Sequence, residues 1–250
     1  MQTIQTIFMK IQDLPLYIFR PEVKADSYPT LLYYHGWSSK VERYAFMGRI
    51  LAAMGLQVIM PEVALHGVRQ EGETYEDHSK FAPVILSTME EFDRMGDQLE
   101  KEAGIDPTRY YIGGHSMGAI IAASLFSRKD IFSRAVLFNG IVDFEQAKLS
   151  LGMDKERDSE EDFGACLEEV SPMRFLDRLG ERKLLALTGM EDKTISPRLM
   201  QEFREKLKGL GPVQENFDFI FYPNASHDVT YKMIRDASVF LGLMEGEDLL

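Results

Sequence analysis

Arg109-Tyr110-Tyr111-Ile112-Gly113-Gly114-His115-Ser116-Met117-Gly118-Ala119-Ile120-Ile121-Ala122-Ala123-Ser124-Leu125-Phe126 decides the fold. Its opening residues are aromatic and branched, a short β-type run. Its closing residues are small and apolar, with good helix formers. Between them Gly114 to Gly118 reads G-x-S-x-G. Strand, sharp turn and helix in that order make the pattern a nucleophile elbow rather than a glycine-rich surface loop. Side chains at the two glycine positions would collide with the neighbouring strand and helix, so the serine sits in a strained turn. The helix after Ser116 aims backbone N–H groups and the positive end of its dipole at the serine.

Outward from the elbow, short apolar runs alternate with helical patterns. Thr3 to Arg20 alternates apolar and polar residues around Gln12-Asp13, which predicts an edge hairpin. Thr30–Tyr34, Gln57–Met60, Tyr110–Ile112, Ala135–Phe138, Lys183–Leu187 and Phe217–Tyr222 read as strands, most of them continuous apolar runs of the kind buried on both faces. Helical spacing covers Tyr44–Met54, Val84–Ala103, Arg198–Leu207 and Val229–Leu243, and Gly55 and Gly104 terminate the first two. Alternating strands and helices predict an α/β fold: a mostly parallel, doubly wound sheet with an N-terminal antiparallel hairpin. The 250 residues suit a single domain, 1–250. One stretch breaks the rhythm. Residues 143–170 carry ten carboxylates against three basic residues and are expected to form a small inserted cap.

Composition narrows the function. Hydrophobic residues make up 45 % of the chain, enough for a sizeable core. A formal net charge of -12 argues against nucleic acid as a partner. Cys166 is the only cysteine, so neither an internal disulfide framework nor a cysteine metal cluster is available. The residues from Met1 to Ile7 do not read as a signal peptide, and no apolar stretch approaches the ~20 residues needed to span a bilayer. A reducing cytoplasmic location without membrane attachment is expected. The oligomeric state stays open, with a homo-oligomer compatible with the sequence.

A serine hydroxyl needs a base to take its proton. The order that goes with a nucleophile elbow is serine, then acid, then histidine. Of the five histidines (His35, His66, His78, His115 and His227) only His227 follows Ser116, and it lies after the Phe217–Tyr222 strand, where a loop at the carboxyl edge of the sheet is expected. The orienting acid should follow an earlier strand. Asp192 is the first choice, with Glu191 beside it and Asp143 after the preceding strand as rivals. Two backbone donors should hold a developing oxyanion: the N–H of Met117, next to the serine, and that of Trp37, in His35-Gly36-Trp37 after the first buried strand. His66 either touches substrate or braces the loop after its strand, and bracing is favoured. His35 and His115 are expected to pack behind the site, and Cys166 to be an apolar filler. In the insert, Leu149 and Met153 are expected, with Phe144, Leu151, Phe163 and Leu167, to line an acyl pocket.

His35-Gly36, Leu65-His66-Gly67, Gly114 to Gly118, Gly189 to Pro197 with Asp192, and His227 together resemble serine hydrolases of the α/β-hydrolase superfamily. The chain is most similar to small bacterial carboxylesterases of the dienelactone-hydrolase and acyl-peptidase branch. It differs in Ala119, where many relatives have a further glycine, and in carrying serine where true dienelactone hydrolases carry cysteine. The resemblance implies a carboxylesterase that cleaves small to medium acyl esters through an acyl-enzyme, with no metal or cofactor. Alternatives are a thioesterase or peptidase with the same triad, or a non-catalytic binding protein that keeps the fold for a small ligand.

Overall fold

The computed structural model describes residues 3–70, 80–145, 168 and 170–244. Among them eight strands form one sheet: β1 Ile4–Ile11, β2 Leu14–Pro21, β3 Tyr28–Tyr34, β4 Gln57–Pro61, β5 Ile105–His115, β6 Arg134–Phe138, β7 Lys183–Gly189 and β8 Phe217–Tyr222. Their spatial order is β1-β2-β4-β3-β5-β6-β7-β8. The β1–β2 and β2–β4 pairings are antiparallel, and every pairing from β4 across to β8 is parallel. The α-helices are α1 Val41–Ala53, α2 Phe81–Ala103, α3 Met117–Arg128, α4 Pro197–Leu207 and α5 Tyr231–Phe240. This is the expected α/β-hydrolase architecture, hairpin included.

The strands are apolar throughout because both faces are covered. Along β3, Leu32 and Tyr34 pack on one side with α2, α3 and α4, while Leu31 and Tyr33 pack on the other with α1 and α5. β6 repeats the alternation, with Ala135 and Leu137 opposite to Val136 and Phe138. The period of two in the strand thus feeds two separate cores. α2 reaches its core with Ile85, Met89, Phe92, Met95 and Leu99, at the three- and four-residue spacing of one helix face. α3 is buried from Met117 to Ser127, which explains why it is apolar all round.

Two local features depart from simple periodicity. Gln12 and Asp13 have φ of 47° and 66°, the left-handed pair that lets a two-residue turn follow the twist of a hairpin. β5 is longer than its apolar run. Ile105 pairs with Tyr28 and Tyr110 with Thr30, so Asp106 to Arg109 bulge out of the ladder. The Asp106 carboxylate ties the bulge by accepting from Thr108 N–H at 2.9 Å, Thr108 Oγ1 at 2.7 Å and Arg109 Nε at 2.7 Å. Pro107 is tolerated there because a bulged residue need not donate to the sheet.

Most of the expected cap, with Leu149, Met153 and Cys166, lies outside the described residues, as does His78. At its flanks Asp143, Phe144 and Val170 are buried. No helix among the described residues is long and apolar enough to cross a membrane. Nor do the described residues contain a group of three or more His, Cys, Asp or Glu side chains placed to hold a metal ion.

Candidate active site

The carboxyl ends of the parallel strands bring together loops far apart in sequence. β3 leads into His35-Gly36-Trp37, β5 into Ser116, β6 into Asn139, β7 into Asp192 and β8 into His227. Parallel strands deliver all their C-terminal loops to one edge, where open α/β sheets bind ligands.

Ser116 has φ 56° and ψ -118°, a conformation strained for a residue with a Cβ. The turn that imposes it is tight on every side. A Cβ at Gly114 would lie 2.1 Å from the Gly118 carbonyl oxygen, and one at Gly118 would lie 2.0 Å from that of Tyr34. Both positions therefore require glycine. The Ser116 N–H donates to Phe138 O at 3.0 Å, tying the elbow to β6. Its carbonyl opens α3 by accepting from Ala119 and Ile120. Met117 is the first residue of α3, where helical geometry leaves the N–H groups without intrahelical acceptors.

The loop after β3 lies against this turn. A Cβ at Gly36 would sit 3.3 Å from Ser116 Cβ, so the two backbones pass almost in contact. Trp37, one residue on, is half-buried, with its ring edge-on to His66 at 4.9 Å and near Phe81 at 5.4 Å. His66 is wholly buried. Its Nδ1 lies 2.7 Å from Ala64 O, and its Nε2 accepts from Ser38 N–H at 3.2 Å. Those partners put the proton on Nδ1, and burial lowers the imidazole pKa, which keeps the ring neutral. His66 is thus packed against the Trp37 loop through its ring and through Ser38 N–H, with no exposed surface of its own. His35 is also buried, beside Glu62, whose Oε1 accepts from Val41 N–H at the start of α1.

His227 and Asp192 meet across the ends of β8 and β7. Nδ1 of His227 lies 2.7 Å from Oδ2 of Asp192. The other carboxylate oxygen accepts from Thr194 N–H at 2.8 Å and Ile195 N–H at 2.9 Å. Burial alone would raise the Asp192 pKa. The bonds from His227 and from the Ile195 and Thr194 amides, with the attraction of the imidazole, outweigh it and hold the carboxyl below its ordinary range. The two loops are also laced through their backbones, Met190 N–H to Tyr222 O and Glu191 N–H to Ala225 O, both at 2.9 Å. The side chain of Glu191 is exposed, and that of Asp143 faces Lys206 Nζ at 2.7 Å. Of the three candidate acids, Asp192 is the one placed on His227. An open cavity of about 740 Å³ beside the pair is lined by Met190, Glu191, Asp192, Lys193, Thr194, Ser226 and His227. A wider groove of about 950 Å³ over Arg198, Gln201 and Phe221 contains none of these reacting groups.

Sequence reasoning passed over Asn139. It has φ 48° and is buried, and its Oδ1 accepts from Gly189 N–H at 2.8 Å. An asparagine directly after a buried apolar strand is a readable signal, since Asn tolerates the left-handed region better than most residues.

A serine in a strained strand-to-helix turn, with an Asp–His pair at the same sheet edge, places the protein among the serine hydrolases of the α/β-hydrolase fold. The chain belongs to the prolyl oligopeptidase family, whose profile matches residues 44–240. It is similar to Esterase YjfP of Escherichia coli (strain K12), 28 % identical over 207 residues that span 78 % of this chain and 83 % of the relative. Among solved structures it resembles TT1662 from Thermus thermophilus, with 21 % identity, a TM-score of 0.77 and coverage of 96 % and 97 % of the two chains. It also resembles the esterase Est2 of Thermogutta terrifontis bound to propionate, with 20 % identity, a TM-score of 0.70 and coverage of 96 % and 93 %. These two likenesses establish the fold.

Proposed function

We propose that the protein is a carboxylesterase acting on small to medium acyl esters, with Ser116 as nucleophile, His227 as general base and then acid, and Asp192 as the orienting acid. The observation that carries this reading is the 2.7 Å contact between His227 and Asp192 at the same sheet edge as the strained Ser116. Ser116 Oγ attacks the ester carbonyl as His227 takes its proton. Asp192 fixes the imidazole tautomer and stabilises the imidazolium. The N–H groups of Met117 and Trp37 hold the oxyanion, a role that the close approach of Gly36 to the elbow supports. The imidazolium then protonates the leaving alcohol. Water, activated by the same imidazole, releases the acid and restores Ser116. No step calls for a metal or a cofactor. The esterase name of the Escherichia coli relative supports ester over amide chemistry. A cytoplasmic setting fits a chain with one cysteine.

The test is a panel of p-nitrophenyl esters of increasing acyl length, run beside acyl thioesters and aminoacyl anilides. Esters of short to medium acyl groups should have the highest kcat/KM. Preferential cleavage of anilides would make the protein a peptidase, and preferential cleavage of thioesters a thioesterase.

A further inference from the structure

The loop that carries His227 is held by its carbonyl groups. Ala225 O accepts from Glu191 N–H at 2.9 Å. Ser226 O and Asp228 O each lie 3.4 Å from Nδ2 of Asn139. His227 O lies 2.5 Å from Nε2 of His115. Four consecutive carbonyls are thus engaged by groups at the carboxyl ends of three other strands, the last residue of β5 and residues just after β6 and β7. Asn139 cannot be turned the other way, because its Oδ1 accepts from Gly189 N–H at 2.8 Å, so the Nδ2 end must face the histidine loop.

The orientation of His115 follows by similar logic. A carbonyl only accepts, so Nε2 carries the proton. That leaves Nδ1 as an acceptor, and the Tyr44 hydroxyl supplies the donor at 2.7 Å. Tyr44 sits on α1 and is buried, and burial raises its pKa, so the hydroxyl keeps its proton. Burial first, with the neighbouring His227 second, lowers His115 to about 4, so its ring is neutral near pH 7. The His115 and His227 rings lie 4.7 Å apart, centre to centre.

We propose that His115 and Asn139 are positioning residues for His227: they fix the backbone on which the base is mounted, and Tyr44 fixes the tautomer in which His115 does so. The proposal rests on the assignment of Ser116 and His227 above. Asp192 grips Nδ1 and so sets the rotation of the imidazole, while the backbone sets the point from which the ring projects. His115 precedes Ser116 directly in the chain, so one residue spaces the nucleophile against its base. A misplacement of about 1 Å in such an arrangement can cost about 100-fold in rate.

The experiment compares His115→Phe, His115→Gln, Tyr44→Phe and Asn139→Ser with the parent on p-nitrophenyl acetate, with kcat and KM separated and melting temperatures recorded. His115→Phe keeps a flat ring against His227 and removes both nitrogens. It should lower kcat about 10- to 100-fold with KM nearly unchanged. His115→Gln, which restores an N–H donor, should recover a good part of that loss. Tyr44→Phe and Asn139→Ser should each lower kcat several-fold, again at constant KM. Parental kcat in a folded His115→Phe overturns the proposal, as does a glutamine variant no better than phenylalanine. Should His115→Phe fail to fold, parental kcat in both Tyr44→Phe and Asn139→Ser overturns it. His227→Ala separates the two readings. Parental activity there removes the base assignment itself, whereas loss of activity there beside parental kcat in the other variants removes only the positioning role.

Discussion

Three side chains carry the proposed chemistry, and each is held by a different device. Ser116 is held by backbone strain, Asp192 by two backbone amides on one of its oxygens, and His227 by its acid and its carbonyls. Ser116→Ala should leave the melting temperature unchanged and lower kcat by several orders of magnitude, with a residue on the order of 10³–10⁴ over water from oxyanion donors and binding. Asp192→Asn should cost roughly 10⁴ in kcat, because the imidazole loses its orienting acceptor. Glu191→Gln should change kcat little, since Glu191 is exposed, its backbone N–H joins the histidine loop, and it is Asp192 that meets His227 Nδ1. A large loss in Glu191→Gln with a mild one in Asp192→Asn would move the acid by one residue. Stability should also follow pH through the buried histidines. Burial lowers both His115, to about 4, and His66. Below about pH 6.5 the unfolded chain takes up protons that the folded chain refuses, so stability present at neutral pH is lost progressively as pH falls towards 4. His115 alone accounts for roughly 3 kcal/mol across that window. Urea melts at pH 7 and 4.5 check it: equal stability at the two values contradicts the buried neutral histidines. Ser116, Asp192 and His227 were readable in the sequence because the strand–turn–helix marks the serine, and the α/β-hydrolase resemblance implies an acid and then a histidine in loops after later strands. The hold of His115 and Asn139 on the His227 loop was not, because it links residues 112 and about 88 positions apart and becomes visible only once the loops share an edge.

At the scale of elements, the strands were legible where burial on both faces makes them continuous apolar runs. Their ends were less so. The stretch from Ile105 to Arg109 joins β5 through a bulge tied by Asp106, a local arrangement that periodicity does not report. Gly113 to His115 extend the same strand although two glycines are poor strand formers, because β3 and β6 pair with them on both sides, Gly113 with Tyr33 and Val136 and Gly114 with Tyr34 and Leu137. α2 begins at Phe81, ahead of its first strongly periodic residue, where the ring meets Trp37. One connection holds a helix end. Arg182, just before β7, donates from Nη1 to Phe126 O at 2.7 Å and Lys129 O at 2.8 Å, at the C-terminus of α3. Its other nitrogens reach Leu179 O, Arg178 O and Asp130, and the guanidinium lies 4.9 Å over the Phe126 ring. These bonds satisfy carbonyls that a helix leaves over. Arg182→Met keeps the stem and removes the donors. It should destabilise the protein by about 2–3 kcal/mol in denaturant melts while leaving the kcat of the folded fraction unchanged. A loss below about 0.5 kcal/mol would show that the cap is dispensable.

At the scale of the whole molecule, the sheet serves as a rail that delivers chemistry from residues 35 to 227 to one edge, and the two cores keep that rail rigid. The molecule also carries a net charge of -12, which repels anions on approach. A succinyl half-ester should therefore show a lower kcat/KM than a neutral ester of equal length, and the gap should narrow with added salt, as screening shortens the field to about 8 Å at 0.15 M. Equal kcat/KM at low salt would mean that the charge lies away from the entrance. The central claim is that Ser116 forms a covalent intermediate. Incubation with a fluorophosphonate followed by peptide mass spectrometry tests it most directly. The account predicts one adduct per chain, on Ser116, formed in step with loss of esterase activity and nearly abolished in His227→Ala. Loss of activity with Ser116 unmodified, or labelling that is unchanged in Ser116→Ala, would contradict it.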